Sequence, residues 1–319
     1  MNPDLILSNF TNPALLFFLL GILATQLKSD LQIPNNSSKF ISLYLLFAIG
    51  FRGGQELAHE HFSWDVLGVM GLGLVSAIII PLYSFFILRR RLNPYDAGAV
   101  AASYGSVSAV TFVTATLFLE SMQQQLHGYM VATMAMMEAP AIVVGLLLIN
   151  FFSDSSQRVK KRVAVQHALT NGSVLMVLGS LIIGLLASEK QAAGIRPFTQ
   201  DIFQGFLAIF LLDMGISTGK NLRAFFTYGW FNFFFALLMP LLNGILFAYI
   251  SAYFTDVVSD RFLVSVLAAS ASYIAVPAAM RIAVPQANPG LFLPMALGVT
   301  FPVNITVGLP LYYSLVSSF

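Results

Sequence analysis

Two long stretches of the sequence contain no charged side chain and no histidine. Residues 224–255 and 282–319 lack Asp, Glu, Lys, Arg and His and consist mostly of aliphatic, aromatic and small residues. A hydrocarbon core of about 30 Å needs roughly 20 apolar residues per helix, and unpaired backbone groups are very unfavourable inside it. Only 9% of all residues are charged, against roughly 25% in soluble domains. The sequence therefore predicts an all-α integral membrane protein.

Apolar runs separated by polar turns predict about ten transmembrane helices. Their approximate ranges are 13–27, 38–57, 64–88, 94–120, 127–152, 172–188, 199–222, 224–254, 260–284 and 289–316. Alternating helices place Arg52, Lys190, Arg196 and Arg261 on one side and the other twelve of the 16 Lys and Arg residues on the opposite side. Positive residues favour the cytoplasmic side. Both termini are therefore predicted outside, in a multi-pass membrane protein.

The two halves of the chain contain similar short segments in the same order. GFRGGQEL at 50–57 is matched by GISTGKNL at 215–222, and AASYGSVSAV at 101–110 by AASASYIAVP at 268–277. Two halves of five helices each must be inverted relative to one another. The pattern thus predicts a 5+5 inverted repeat, which is typical of secondary transporters. The predicted repeats are 1–152 and 172–319, with a short cytoplasmic linker at 153–171.

Small hydroxyl residues and glycine interrupt the fourth and ninth spans, which are predicted to be discontinuous. Broken backbone persists at membrane depth only where it is buried or lines a polar cavity, and the free N–H groups of half-helices attract anions. The duplicated placement favours a substrate site over the alternative, a tight contact between helices. The predicted substrate-binding residues are Gly105, Ser106, Ser108, Thr111, Ser270, Ser272 and Tyr273.

Glu138 is the strongest candidate for a cation ligand. It lies in the apolar run MAMMEAPAIVV, where a carboxylate is very unfavourable without a partner. It is predicted to bind Na⁺ or carry a proton, with a structural hydrogen bond as the alternative. Thr111 and Asn304 are predicted as further ligands, although Asn304 is equally well explained as a satisfied core amide. For Asp213 two roles stay open: it pairs with a basic residue, or it lines the access path.

Several other classes of site are unsupported. The chain has no cysteine, which excludes disulfides and thiolate metal sites. The run His59-Glu60-His61 has spacing that does not suit a metal site on a helix. Arg89, Arg90 and Arg91 are interpreted as topogenic charges and lipid contacts, not as a nucleic-acid patch. No cofactor and no catalytic residue are predicted.

Six segments resemble the sodium-dependent bicarbonate transporter family first known from cyanobacteria. They are IGFRGGQEL, YGSVSAVT, MEAPAIV, LLDMGIS, AASASYIAVPAAMRIAVPQANP and GVTFPVNITVGLPLY, in the family's order. The resemblance implies a core domain (about 64–152 plus 224–319), a gate domain (about 13–57 plus 172–222) and a homotrimer in the bacterial inner (plasma) membrane. It also implies bicarbonate bound between the crossing broken helices at the serine positions named above, with Na⁺ nearby.

Two departures from the family pattern limit what the resemblance implies. The serine run of the ninth span is followed by Tyr273, where the family usually has an acidic residue, so the substrate and the coupling ion stay open. The linker is shorter than in cyanobacterial members, which bind a PII-like regulatory protein, so that partner is not carried over.

The function expected is Na⁺-coupled import of bicarbonate or a similar small anion by an elevator-like mechanism. A transporter of the same fold that couples another small anion to H⁺ is the first alternative. A passive channel and an intramembrane hydrolase with Ser106 or Ser108 as nucleophile are the others. The hydrolase needs a histidine at the same depth, and none is predicted there.

Overall fold

The chain folds into helices, and no β-strand occurs in the ranges described by the computed structural model, 12–60, 63–153, 172–225 and 229–318. The helices are α1 (Pro13–Gln26), α2 (Asn35–Ala58), α3 (Trp64–Leu88), α4 (Pro94–Gly105), α5 (Ala109–Ser121), α6 (Gly128–Phe152), α7 (Gly172–Leu186), α8 (Glu189–Arg196), α9 (Phe203–Phe225), α10 (Trp230–Ser251), α11 (Val258–Ala269), α12 (Ala275–Ala283) and α13 (Pro289–Val316). The predicted linker at 153–171 lies outside the described residues, apart from Ser153.

Three Asn-Pro dipeptides start helices in the same way. The side chains of Asn12, Asn93 and Asn288 each accept a hydrogen bond of 2.9 Å from a backbone N–H two or three residues further on. The proline that follows each of them occupies the first helical turn, where its missing N–H would be unpaired in any case. The starts of α1, α4 and α13 are therefore encoded locally and agree with the prediction.

Six helical segments of the described chain are long and apolar enough to cross a membrane. They are Trp64–Leu88, Pro94–Ser121, Gly128–Phe152, Glu189–Lys220, Trp230–Ser251 and Pro289–Val316. The shorter helices α1 and α7 are also apolar. The remaining predicted spans are the second, which is more polar, and the ninth, which is broken into two short helices.

Both predicted discontinuities are present. The fourth span consists of α4 and α5 with residues 106–108 between them, and the ninth consists of α11 and α12 with residues 270–274 between them. Two predicted boundaries are wrong. A helical segment precedes the expected start at Thr199, because Ser188 and Gln191 form a capping box that begins α8. The eighth span begins at Trp230 instead of Ala224, after Gly229 with φ of 88°, and α9 continues to Phe225.

Glycines allow two helix pairs to pack closely. Helix α1 packs along α9, and α2 packs along α7. A Cβ at Gly21 would overlap the Leu212 carbonyl oxygen, and one at Gly184 would overlap the Phe51 carbonyl oxygen. Since small residues let transmembrane helices approach backbone to backbone, these glycines set the separation within each pair.

The last helix contains two wide turns next to prolines. Over Ala296–Thr300 the backbone follows π-helical hydrogen bonding, so that Phe301 N–H donates to the Ala296 carbonyl oxygen. In the same register the Leu297 carbonyl oxygen would accept a hydrogen bond from residue 302, but this residue is a proline and has no N–H. Thr218 of α9 instead donates its hydroxyl hydrogen to that carbonyl oxygen, at 2.8 Å. This bond joins α13 to a helix of the α1–α9 pair.

A buried acidic cluster joins the ends of three helices. Asp260, fully buried at the start of α11, contacts His127 Nδ1 at 2.8 Å and accepts a hydrogen bond from the Tyr129 hydroxyl. Glu60, just after α2, accepts from the Gly128 backbone N–H at 2.8 Å. The hydrogen bond to Asp260 raises the pKa of His127, and the charges of Asp260, Glu60 and Glu56 act in the same direction against burial.

This cluster predicts a specific pH dependence of stability. A raised folded-state pKa means that the stabilisation by protonated His127 is complete below about pH 6.5 and is lost as pH rises through that pKa. As the pH rises through this pKa, the midpoint of thermal unfolding of the solubilised protein should fall by ~2 °C. The change is small because the imidazole is partly exposed. His127→Gln should remove this fall, whereas His59→Gln, at an exposed imidazole, should keep it. Equal pH slopes in all three proteins would contradict the assignment.

Candidate functional site

The two helix breaks lie directly against one another. Ser272 N–H donates to the Ser103 carbonyl oxygen at 2.8 Å, and the Ser103 hydroxyl donates to the Ser272 carbonyl oxygen. Ser108 N–H donates to Ser270 Oγ at 3.0 Å. The backbone groups released by each break are thus partly satisfied by the other, as broken backbone in an apolar environment requires.

Each break also caps the helix that follows it. Ser108 Oγ accepts from Thr111 N–H at 3.1 Å and from the Thr111 hydroxyl at 2.9 Å. Ser272 Oγ accepts from Val276 N–H at 3.3 Å. The first N–H groups of a helix have no partner within the helix, and its dipole makes this end positive. The starts of α5 and α12 therefore form a paired electropositive region.

A small cavity lies at this region; we call it the central cavity. Its volume is about 10 Å³, which is room for about one water-sized group. Its walls come from both breaks, from α6, and from the facing helices α2 and α7. The lining residues are Leu46, Val107, Ser108, Ala109, Glu138, Ser173, Ser272, Tyr273, Ile274 and Ala275.

Two polar groups that line the central cavity are poorly satisfied among the described residues. Glu138 is buried with its Oε2 unpaired, and the buried Tyr273 hydroxyl interacts with the side chain of Ser108 without forming a well-aligned hydrogen bond. No ion pair to Glu138 is formed within the described ranges. A carboxylate in such a place is very unfavourable without a cation or a proton. The cavity therefore presents an unmatched acidic group beside two positive helix ends.

The structure divides the predicted site residues into two groups. Ser108, Ser272, Tyr273 and Glu138 line the central cavity. The residues that do not line it, all of them buried or next to a break, are Gly105, Ser106, Thr111, Ser270 and Asn304. Ser106 Oγ is buried without a partner among the described residues. Gly105 is needed for close packing, because a Cβ there would overlap the ring of Pro81 in α3.

Asn304 supports the second break. Its Nδ2 donates to the Ala269 carbonyl oxygen, the last of α11, at 2.7 Å, and its Oδ1 accepts from the Tyr312 hydroxyl at 3.0 Å. These bonds match the core-amide interpretation, in which Asn304 positions the end of α11. Sequence reasoning missed Leu46 and Ser173, which line the cavity from α2 and α7. Ser173 is a polar residue that begins an apolar helix, but no sequence pattern shows which helices face the breaks.

The histidines of the described chain do not belong to a cluster that could hold a metal ion. His59 lies 3.8 Å from Glu189 at the surface, and His61 is outside the described residues. No group of three His, Asp or Glu residues suited to a metal ion occurs in the described ranges.

Comparison with known proteins identifies the family. A family model described as the Na⁺-dependent bicarbonate transporter superfamily matches residues 13–317. The chain belongs to this superfamily. The resemblance noted in the sequence is thereby confirmed over nearly the whole chain. A search of curated proteins finds no significant match. The members of this superfamily are transporters and not enzymes. Together with the apolar helices, membership shows that the chain is a multi-pass membrane protein.

Proposed function

We propose that the protein couples the inward movement of Na⁺ to import of bicarbonate or a similar small anion, and that it works by an elevator-like movement. The anion is bound in the central cavity by the N-terminal ends of α5 and α12, with Ser108 and Ser272 positioning those ends. Na⁺ binds beside the Glu138 carboxylate.

The unpaired Glu138 beside two helix ends is the observation that carries this proposal. Each helix N-terminus is equivalent to roughly half a positive charge, so two ends about balance one carboxylate. An anion that enters the cavity leaves an excess negative charge in a medium of low polarity. A cation or a proton must accompany it, because buried unpaired charge is strongly unfavourable. Coupled transport of an anion and a cation follows from this balance.

The packing of the helices supports the proposed ten-helix inverted repeat. An inverted two-fold relation would exchange the first span with the sixth and the second with the seventh. The contact of α1 with α9 would then become the contact of α7 with α2, and both pairs are present. The contacts of α3 with α4 and of α10 with α11 form a second matching set. We assign α1, α2, α7 and α9 to the gate, and the third to fifth and eighth to tenth spans, which include the broken helices, to the core.

The proposed movement would break several polar contacts. Between gate and core, Arg52 Nη2 lies 2.5 Å from Glu120 Oε1, Glu60 accepts from Gly128 N–H, and Thr218 donates to Leu297. We also propose a homotrimer in the inner membrane with both termini outside.

Proton coupling to another small anion is the second candidate. The same unpaired Glu138 favours it, because a protonated carboxyl would satisfy the charge balance without Na⁺. Tyr273 also favours it, since it adds a neutral hydroxyl to the cavity and no second carboxylate.

The proposal predicts Na⁺-dependent bicarbonate uptake. Purified protein in liposomes should accumulate labelled bicarbonate under an inward Na⁺ gradient, because the two ions enter the cavity together. Liposomes with choline outside should show uptake close to that of empty liposomes. Accumulation under an inward proton gradient alone would favour the second candidate, and equal flux without any ion gradient would indicate a channel.

A further inference from the structure

A much larger open cavity adjoins the central cavity. It has a volume of about 690 Å³. Ser173, Tyr273 and Ile274 line both cavities, so these three residues form the partition between them. Ile274 is partly exposed to the larger cavity, whereas Tyr273 is buried.

One wall of the larger cavity is a polar stripe on α2. Asn35, Ser38, Lys39 and Ser42 all line it, at a spacing that puts them on one face of a helix. Lys39 carries the only charge among the described lining residues. It is exposed and forms no ion pair within the described ranges.

The acidic group that contacts this stripe, Asp213, has partners of its own. The Asp213 carboxylate accepts a hydrogen bond from the Ser38 hydroxyl and interacts electrostatically with Lys220. Asp213 thus contacts the stripe through Ser38, and Lys220 offsets part of its charge. The charge that the stripe itself presents to the cavity is the positive charge of Lys39.

We propose that this cavity is the vestibule through which the anion passes between the central cavity and the aqueous phase on the Lys39 side, the cytoplasmic side of the predicted topology, and that Lys39 attracts the anion into it from that phase. The inference rests on the proposed function. A charge in a cleft with apolar walls raises the local concentration of counter-ions, and salt weakens the effect. The central cavity holds about one water-sized group, so a larger anion enters it by displacing the side chain of Tyr273 or Ile274.

Accessibility tests the vestibule independently of transport. Because the chain has no cysteine, Ser42→Cys and Ala278→Cys each introduce a unique thiol into the vestibule wall. A membrane-impermeant thiol reagent should label both from the Lys39 side only. Ile79→Cys, on an exposed apolar face of α3, is the control and should label poorly from either side. Labelling of Ser42→Cys and Ala278→Cys no better than this control would overturn the vestibule.

Charge substitutions test the role of Lys39. In vesicles that present the Lys39 side outward, Lys39→Gln should raise the KM for bicarbonate about 2- to 5-fold, the range for an exposed charge. Lys39→Glu should raise it further. Both effects should shrink at high ionic strength and be absent in vesicles of opposite orientation. Lys28→Gln, a lysine outside the vestibule lining, is the matched control and should behave as wild type.

The two possible failures are distinguishable. An unchanged KM in both Lys39 variants, with normal uptake by the wild type, would overturn the role of Lys39 and leave the proposed function standing. Absence of bicarbonate uptake by the wild type would overturn the proposed function itself, while the labelling pattern would still decide whether the vestibule exists.

Discussion

Glu138→Gln should reduce Na⁺-coupled uptake about 10- to 100-fold while the protein stays folded. The substitution keeps the size and one acceptor oxygen but removes the charge that offsets the dehydration of a cation. A hydrogen bond to a charged group contributes roughly 1.5–3 kcal/mol, and the loss of this free energy corresponds to the expected 10- to 100-fold reduction in uptake. Helix packing should change little, because the Glu138 carboxylate has no partner to lose among the described residues. The measurement is initial uptake against Na⁺ concentration at two pH values, together with thermal unfolding.

The same measurement separates the two coupling ions. If Glu138 carries a proton, Glu138→Gln should lose the pH dependence of uptake and keep any Na⁺ dependence. Asp65→Asn removes an exposed carboxylate at the start of α3 and controls for the change in net charge. Unchanged Na⁺ and pH profiles in folded Glu138→Gln would show that this carboxyl is structural. The cation site would then have to be sought at Thr111, Asn304 or Asp213.

Gly184→Ala should lower the midpoint of thermal unfolding by several degrees. A Cβ at Gly184 would overlap the backbone of Phe51, which cannot rotate away as a flexible side chain can. Helices α2 and α7 would have to separate, and overpacking of this kind costs about 1–3 kcal/mol. The gain in helix propensity from Gly to Ala, up to about 1 kcal/mol, offsets only part of it. The measurement is thermal unfolding of the solubilised protein.

Gly179→Ala is the matched control in the same helix. A Cβ at Gly179 meets nothing within 4 Å, so this substitution gains helix propensity without a clash. Its unfolding midpoint should equal or exceed that of the wild type. Equal shifts in Gly179→Ala and Gly184→Ala would show that close packing at Gly184 does not determine the spacing of α2 and α7.

Much of the fold can be predicted because its determinants are local. The Asn-Pro dipeptides, the charge-free stretches and the small-residue runs mark helix starts, spans and breaks within a few residues of sequence. The boundary at Ala224 is wrong because such a local mark is missing there. No charged residue occurs between 224 and 255, so the apolar run does not show that the second of the two helices begins only after Gly229.

The site was only partly predictable because its lining depends on packing between distant segments. Glu138, Ser108 and Ser272 were identifiable as polar groups in apolar runs. That Leu46 and Ser173 face them depends on the contact of α2 with α7 and of both with the breaks. The two hydrogen bonds of Asn304 also depend on tertiary contacts, to Ala269 and Tyr312, which the sequence does not encode locally.

The bonds exchanged by Ser103 and Ser272 have a mechanical consequence. Pulling the two breaks apart would rupture these bonds and the one between Ser108 and Ser270, whereas rotating the Tyr273 ring would disturb only its interaction with the Ser108 side chain. In the function proposed above, the occupant would therefore enter the central cavity by a side-chain rearrangement while the two breaks stay joined. A force on either half of the molecule would be transmitted to the other through these serines, so the proposed elevator-like movement would carry the cavity as a unit instead of assembling it anew on each side.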